Sequence, residues 1–400
     1  MLVSNILVSP DRLTKRSEEL PVKHQINPSV NQPSIQKDTL KHPQNLLKTF
    51  SKPIELIPSV TKEENSKGKI VFNRHIHTCD HSNKPKCITL KEIQKRYNKS
   101  DFISIENHGG FWNQNEMISS PSDPTLLPGA EISIKTVTGS HGKVSHHVGV
   151  IGVDEPEHKQ LKIGGGDTAA NLHKKVEKAN GVVIFNHPEY PYINKESSEK
   201  ALDYVIPYQD AANLDGVELF NDVGFRGGNV LNVLGWVERN FYERGLFPAI
   251  LAGQDDHADT VVSKNPTYNV ALSESKTKTE ADVIDSIKNA KIYVTKNPDA
   301  DVKFKVDNSY NIGQKVIFSK NSEHILDFKI NNLPIGATAE VIYNGAVYYS
   351  QKILNGNFNN TLKFNAQAGK DNQHGYMYIR VLDNKNKLHS ITSAFSFKLV

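Results

Sequence analysis

Apolar and polar positions fall into short repeating blocks along this chain. From Lys69 the run KIVFNRHIHT reads as a short apolar strand that ends in polar residues. LKEIQKRYNKS (90–100) follows with apolar residues at helical spacing, and FISI (102–105) is a second strand ending at Glu106-Asn107-His108. The design recurs: GVVIF (181–185) ends at Asn186-His187-Pro188, GVELF (216–220) at Asn221-Asp222, and FPAILAG (247–253) at Gln254-Asp255-Asp256-His257. Between them, TAANLHKKVEKAN (168–180) is expected as a helix capped at Asp167. Val230, Leu234, Val237 and Phe241 give a second helix that stops at Gly245, and TEADVIDSIKNA (279–290) gives a third with a threonine at its start. Strands alternating with helices predict an α/β domain with a largely parallel sheet, barrel-like, over residues 67–297.

After Pro298 the period changes. VKFKV, ILDFKI, AEVIY, AVYYS, TLKF, YMYIRV and AFSFKL read as strands, with Asn344-Gly345 as a two-residue hairpin turn between the third and fourth. About seven short strands in 298–400 predict a smaller all-β, sandwich-like domain. Residues 1–66 are rich in Pro, Lys, Ser, Asn and Gln and nearly lack aromatics, so they read as a flexible N-terminal extension.

Composition narrows the function classes. With 37% hydrophobic and 23% charged residues, the 400-residue chain can build a core. A net charge of +4, with scattered Lys and Arg, does not argue for a nucleic-acid partner. Cys79 and Cys87 form neither a disulfide framework nor a CxxC zinc pattern. The opening MLVSNILVSPDRL lacks a basic leader and a long apolar run, and no segment approaches the ~20 apolar residues of a membrane span. The expectation is a soluble, cytoplasmic protein acting on a small molecule.

The chemistry-bearing residues cluster at strand ends. His75 and His77 stand two apart on a strand, so both rings face one side and can grip one cation. Pro128-Gly129-Ala130-Glu131 reads as a tight turn followed by a carboxylate with two oxygens to share. His146-His147 precede the apolar run VGVIGV, Pro188 fixes the chain leaving His187, Asp255 and His257 repeat the two-apart spacing, and His108 follows FISI. Each motif alone fits ordinary surface or core residues. Their joint placement at the ends of buried-looking strands does not, because several buried imidazoles and carboxylates are costly without a compensating cation.

In this order the motifs resemble those of the PHP (polymerase and histidinol phosphatase) superfamily: His75-Ile76-His77-Thr78, Glu106-Asn107-His108, Pro128-Gly129-Ala130-Glu131, His147, His187-Pro188, Glu218 with Asn221, and Gly253-Gln254-Asp255-Asp256-His257, over roughly residues 69–295. KNAKIYVTKNP (288–298) and the β-rich segment after it, with Ile312-Gly313 and Tyr343-Asn344-Gly345, resemble the carbaryl-hydrolase (CehA/McbA-like) branch. The resemblance implies a distorted (β/α)7 barrel with two or three divalent ions, Zn, Mn or Fe. It implies that His75, His77, Glu131 and Asp255 hold the first ion, that Glu131 bridges to a second held by His147 and His187, and that His257 and His108 serve a third with His81. Three positions depart from the family pattern: Asn73, Asn107 and Gln254. The two asparagines replace carboxylates expected behind the ligands, which weakens metal binding in one reading.

The leading expectation is a phosphoesterase that uses a metal-activated water, with Glu131 bridging the ions and His146 or His108 giving a proton to the leaving oxygen. Arg74, Arg226 and Asn221 are the expected substrate contacts, and the loop 109–127, with Phe111 and Trp112, is expected to shape the pocket. Hydrolysis of a carbamate, ester or amide is the second enzymatic reading. The third, favoured by the asparagine replacements, is an inactive PHP-like binding protein.

Overall fold

β1 (Lys69–Ile76) is buried along nearly its whole length, as a strand covered on both faces must be. The structure is a computed structural model that describes residues 68–78, 88–108, 124–139, 142–188, 202, 204–221, 230–257, 266–275 and 277–400. The expected extension at 1–66 lies outside the described residues. α1 (Leu90–Arg96) follows β1, started by a capping box in which Thr89 and Glu92 satisfy each other's backbone N–H. It leads into β2 (Phe102–Ile105), which runs parallel to β1, and β3 (Thr125–Gly139) runs parallel to β2.

Here the expected parallel order breaks. β4 (Gly142–Ile151) turns back antiparallel on β3 in a long hairpin, and β5 (Val182–Phe185) is antiparallel to β4. β6 (Gly216–Asn221) and β7 (Ala249–Gly253) then restore parallel pairing. The expected helices at 168–180 and from Val230 are present, and two short ones, at 155–161 and 208–211, have no counterpart among the expected elements. α2 (Glu155–Leu161) and α3 (Ala169–Lys178) precede β5, α4 (Tyr208–Ala211) precedes β6, and α5 (Val230–Asn240) precedes β7. The cap of α3 is Thr168, whose hydroxyl accepts from Asn171 N, and not Asp167, which pairs with Lys175 at 2.6 Å. After α5 a 3₁₀ turn ends at Gly245 with φ +73°, the expected stop.

β8 (Tyr268–Leu272) and β9 (Ile292–Thr295), linked by α6 (Glu280–Lys288), extend the sheet antiparallel on the far side of β1. The chain leaving β7 meets β1 at the strand ends, where Gln254 N donates to Arg74 O (3.1 Å), His77 N donates to Asp256 O (3.0 Å), and Ile76 and Asp256 form a bridge. The ends of β1 and β7, with their polar residues, are thereby held together. The result is a mixed α/β fold built on a large sheet. No described helix is long and apolar enough to cross a membrane.

The C-terminal strands are β10 (Asp301–Val306), β11 (Lys315–Phe318), β12 (Glu323–Asn331), β13 (Thr338–Tyr343), β14 (Ala346–Lys352), β15 (Phe358–Asn365), β16 (His374–Leu382), β17 (Leu388–Thr392) and β18 (Phe395–Leu399). β10, β12 and β15 form a separate three-stranded sheet. Its Phe304, Phe328 and Phe364 share one core with Val341, Ile379 and Phe395 of β13, β16 and β18. Asn344 and Gly345 both adopt positive φ (50° and 80°), as the tightest hairpin turn requires. β11 and β17 have no counterpart among the expected strands. β17 pairs antiparallel with β9, joining Ser390, Ile391 and Thr392 to Thr295, Val294 and Tyr293 across the expected boundary at residue 297. A common core also crosses it, with Trp236 and Tyr242 packed among Ile342, Tyr378 and Ile391.

This seam makes a prediction. A chain ending at residue 297 would expose the edge of β9 and the apolar face under Trp236, and should be insoluble or lack a cooperative thermal transition. A soluble, cooperatively melting 68–297 fragment would show that the seam is dispensable.

Candidate metal centre

Three ligand-type residues are held by strained backbone. His75 (φ +59°) sits on a bulge between Asn73 and Ile76, and His187 (φ +26°) and Asp255 (φ +48°) follow the ends of β5 and β7. Non-glycine residues adopt left-handed φ at a cost of order 1–3 kcal/mol, and only where the surroundings impose it. The bulge, not a flat strand, brings the His75 and His77 rings together, with centroids 5.2 Å apart and nearly perpendicular planes. Pro128-Gly129-Ala130-Glu131 is not a turn. These residues run within β3, and Glu131 stands opposite Gly149 of β4.

Glu131 is the centre of the site. Its Oε1 lies 3.1 Å from His75 Nε2, 3.0 Å from His147 Nδ1 and 3.0 Å from His187 Nε2, and accepts from Asn186 Nδ2 at 3.1 Å. Its Oε2 lies 2.9 Å from His108 Nδ1 and 3.6 Å from His77 Nε2. Asp255 Oδ1 lies 3.1 Å from His257 Nε2, 3.5 Å from His77 Nε2 and 3.6 Å from His75 Nε2. Four overlapping groups have ligand atoms within 4.8 Å of one another: His75, His77 and Asp255; His75, Glu131 and His187; His108, Glu131 and His147; and His77, His108 and His257. The sequence-expected ligands among the described residues thus converge. His81 and Arg226 lie outside the described residues, as does most of the loop 109–127.

The donor set fits cations. Both ring nitrogens of His77, Nε2 of His75 and Oε2 of Glu131 are buried and make no hydrogen bond. Glu218 Oε2 lies 2.8 Å from His75 Nδ1 and, as a carboxylate, can only accept, so the ring proton sits on Nδ1 in the neutral ring. That leaves the Nε2 lone pair facing Glu131, an arrangement that neutral imidazole and carboxylate adopt around a shared cation.

Without such a cation, protons take its place. Burial opposes charge on His75, yet Glu131, Glu218 and Asp255 outweigh it and raise its pKa well above the usual histidine value. His187 is raised to about 9 against its burial, chiefly by its bond to Glu131. Burial would raise the Glu131 and Asp255 carboxyls, but His75 and the rings bonded to them hold both well below the usual range. His77 goes the other way: burial pushes it down to about 4.

A buried layer supports these groups. Arg74 is fully buried and does not reach the substrate side as the sequence reading expects. Its guanidinium donates to Glu106 (Nε–Oε1 3.1 Å, Nη2–Oε2 2.5 Å), to Glu218 Oε2 at 2.6 Å and to Asn186 Oδ1 at 2.6 Å. Asn221 is also a support: its amide donates to Glu218 and Asp255, both at 3.0 Å. His146 is the clearest correction. Adjacent strand residues face opposite sides, so with His147 in the site His146 enters the apolar core, its ring centroid 5.0 Å from Phe185 and 4.7 Å from Tyr204. Burial lowers it to about 3, and its ring lies in the core, away from the cluster around Glu131. His108 keeps its side chain 31% exposed.

The sequence reading missed the work of Asn186 and the pairing of Arg74 with Glu106 and Glu218. One signal was present: Glu218 interrupts the apolar run of GVELF, and a charge in a buried strand demands a partner. Asn73 and Asn107 do not leave vacant carboxylate positions. Asn73 donates to Thr267 O (2.9 Å) and accepts from Ser100 Oγ (2.5 Å). Asn107 accepts from Thr78 N and donates to Thr78 Oγ1, both at 2.8 Å. Each uses a donor and an acceptor together, which an ionised aspartate cannot offer. Gln254 similarly donates to Thr267 O at 2.7 Å.

No protein-family model and no curated protein matches the chain. Among solved structures, a candidate metal-dependent phosphoesterase from Bifidobacterium adolescentis is similar over 51% of this chain and 93% of its own, at 17% identity and a TM-score of 0.31. The CARDB domain of PF1109 from Pyrococcus furiosus is similar in two structures, each with a TM-score of 0.17. One, at 13% identity, covers 25% of this chain and 95% of that one. The other, in complex with di-metal ions, covers 26% and 93% at 18% identity. At these TM-scores the likenesses carry no argument about fold or function.

The raised histidines predict how the metal-free protein responds to pH. A group whose pKa rises on folding stabilises the fold fully below its unfolded value, near 6.5, and loses that contribution as pH climbs through its folded value, about 9 for His187. The melting temperature of chelator-treated protein should therefore fall between pH 6.5 and about 9, and fall less in His187→Gln. A melting temperature independent of pH over that range would contradict the charged cluster.

Proposed function

We propose that this protein is a metal-dependent hydrolase, acting as a phosphoesterase on a small-molecule substrate. The observation that carries the reading is a single buried carboxylate, Glu131 of β3, enclosed by imidazole nitrogens from β1, β4 and the segments after β1, β2 and β5, with Asp255 beside it. His75, His77 and Asp255 would hold one ion, His147 and His187 a second with Glu131 shared between them, and His108 with His257 a third. Mixed nitrogen and oxygen donors suit Zn, Mn or Fe. Bound there, such ions supply Lewis acidity, which acidifies water and neutralises charge on phosphoryl oxygens.

The chain's own residues do the rest. Asn221 orients Asp255 and Glu218 orients His75. His108, with its side chain 31% exposed beside Glu131, is the donor nearest solvent. The same reading takes β1 to β7 as a distorted seven-stranded barrel, with the polar strand ends at its mouth and the strands from β10 onward as an appended sandwich.

The test is turnover of an aryl phosphate by protein loaded with Mn, Zn or Fe, run beside an aryl carbamate and an aryl ester. Phosphate hydrolysis should dominate, and Glu131→Gln should lower it by at least about 100-fold with the fold intact by circular dichroism. Faster carbamate or ester cleavage would move the assignment to carbon centres. Metal-replete protein inert to all three substrates would leave a binding protein.

A further inference from the structure

We propose that Arg74 and Glu106 form a positioning pair that divides the centre into a tight inner tier and a loose rim tier of cation sites. The inference rests on the metal-centre reading above. Arg74 is fully buried, and each of its contacts leads to an inner residue. Through Glu106 it reaches His75, whose backbone N–H donates to Glu106 Oε1 at 2.8 Å. Through Glu218 it reaches the His75 ring at 2.8 Å and the backbone N–H of His187 at 3.4 Å. Through Asn186, which accepts from Arg74 and donates to Glu131 at 3.1 Å, it reaches the shared carboxylate. One guanidinium thus fixes His75, His187 and Glu131, the fully buried donor group.

The fold makes room for Arg74, Glu106 and Glu218 at two glycines. A Cβ at Gly149 would collide with the Glu106 carboxylate and the Arg74 guanidinium, and one at Gly253 would collide with the Glu218 carboxylate. The supporting negative charge is carried by Glu106 and Glu218, and Arg74 holds both in place.

The rim group differs. His77, His108 and His257 contain no carboxylate, and His108 and His257 are part-exposed, with side chains 31% and 20% accessible. Three imidazoles, two of them part-exposed, attract a divalent ion less than a group that contains a buried carboxylate and whose ligands are locked in orientation.

The test is a titration of the chelator-treated full chain with Mn²⁺ alone, followed by calorimetry and by the electron paramagnetic resonance signal of free Mn²⁺. The wild type should show a tight phase and a weaker one. Arg74→Met combined with Glu106→Met removes the ion pair and leaves Glu218 held by the His75 ring and the Asn221 amide, and circular dichroism checks that the fold persists. Its tight phase should weaken about 10- to 100-fold while the weak phase stays within about two-fold. Arg74→Lys keeps the charge but loses the fork, and should weaken the tight phase by a smaller factor. It serves as the second variant if the double one does not fold. On the proposed phosphoester, kcat per folded molecule, with the folded fraction measured by circular dichroism, should fall in both variants with little change in KM.

Unchanged Mn²⁺ binding in a folded variant would overturn the positioning role. A uniform loss of both phases would overturn the two tiers. A wild type that binds no Mn²⁺, Zn²⁺ or Fe²⁺ would instead bring down the metal-centre reading and the inference with it.

Discussion

The structure is organised around one electrostatic problem. A buried carboxylate, Glu131, has five imidazoles directed at it, and a second carboxylate, Asp255, shares two of them. Such a cluster is unstable in a low-dielectric interior unless positive charge is supplied. Protons can supply part of it, as the raised His75 and His187 show, while His77 resists protonation under the same burial. Divalent ions supply it without forcing neighbouring rings to share protons. The left-handed backbone at His75, His187 and Asp255 is the conformational cost of bringing the donors to this point.

Around that cluster the chain builds two kinds of support. Asn73, Asn107 and Gln254 act through neutral amides, tying strand ends to neighbouring backbone and hydroxyl groups. Glu106, Glu218 and Arg74 act through charge, in a layer with no solvent exposure. The asparagines that favour an inactive protein on sequence grounds therefore leave the ligand-type side chains in place.

Much of the site was legible because ligands at strand ends leave a local trace: an apolar run, then His, Asp or Glu. That trace located His75, His77, His108, His187, Asp255 and His257 without any knowledge of how the strands pair. What it could not show was direction. The β3–β4 hairpin, which places Glu131 opposite Gly149, depends on pairing between segments whose periodicity is the same parallel or antiparallel. His146 was misassigned although alternation along a strand already forbids two adjacent histidines from facing one pocket. β17 was invisible because LHSIT has only two large apolar residues, yet all five positions are buried by the seam with β9. Arg74 read as a substrate contact because its partners, Glu106 and Glu218, are 32 and 144 residues away.

The most direct test is diffraction from crystals grown with Mn²⁺, recorded so that manganese scatters anomalously. The account predicts anomalous peaks within coordination distance of Glu131, the strongest lying between His75 and His187 or beside Asp255. Metal-soaked crystals with no anomalous peak in this cluster, and with the imidazoles still bonded to Glu131 through protons alone, would contradict it.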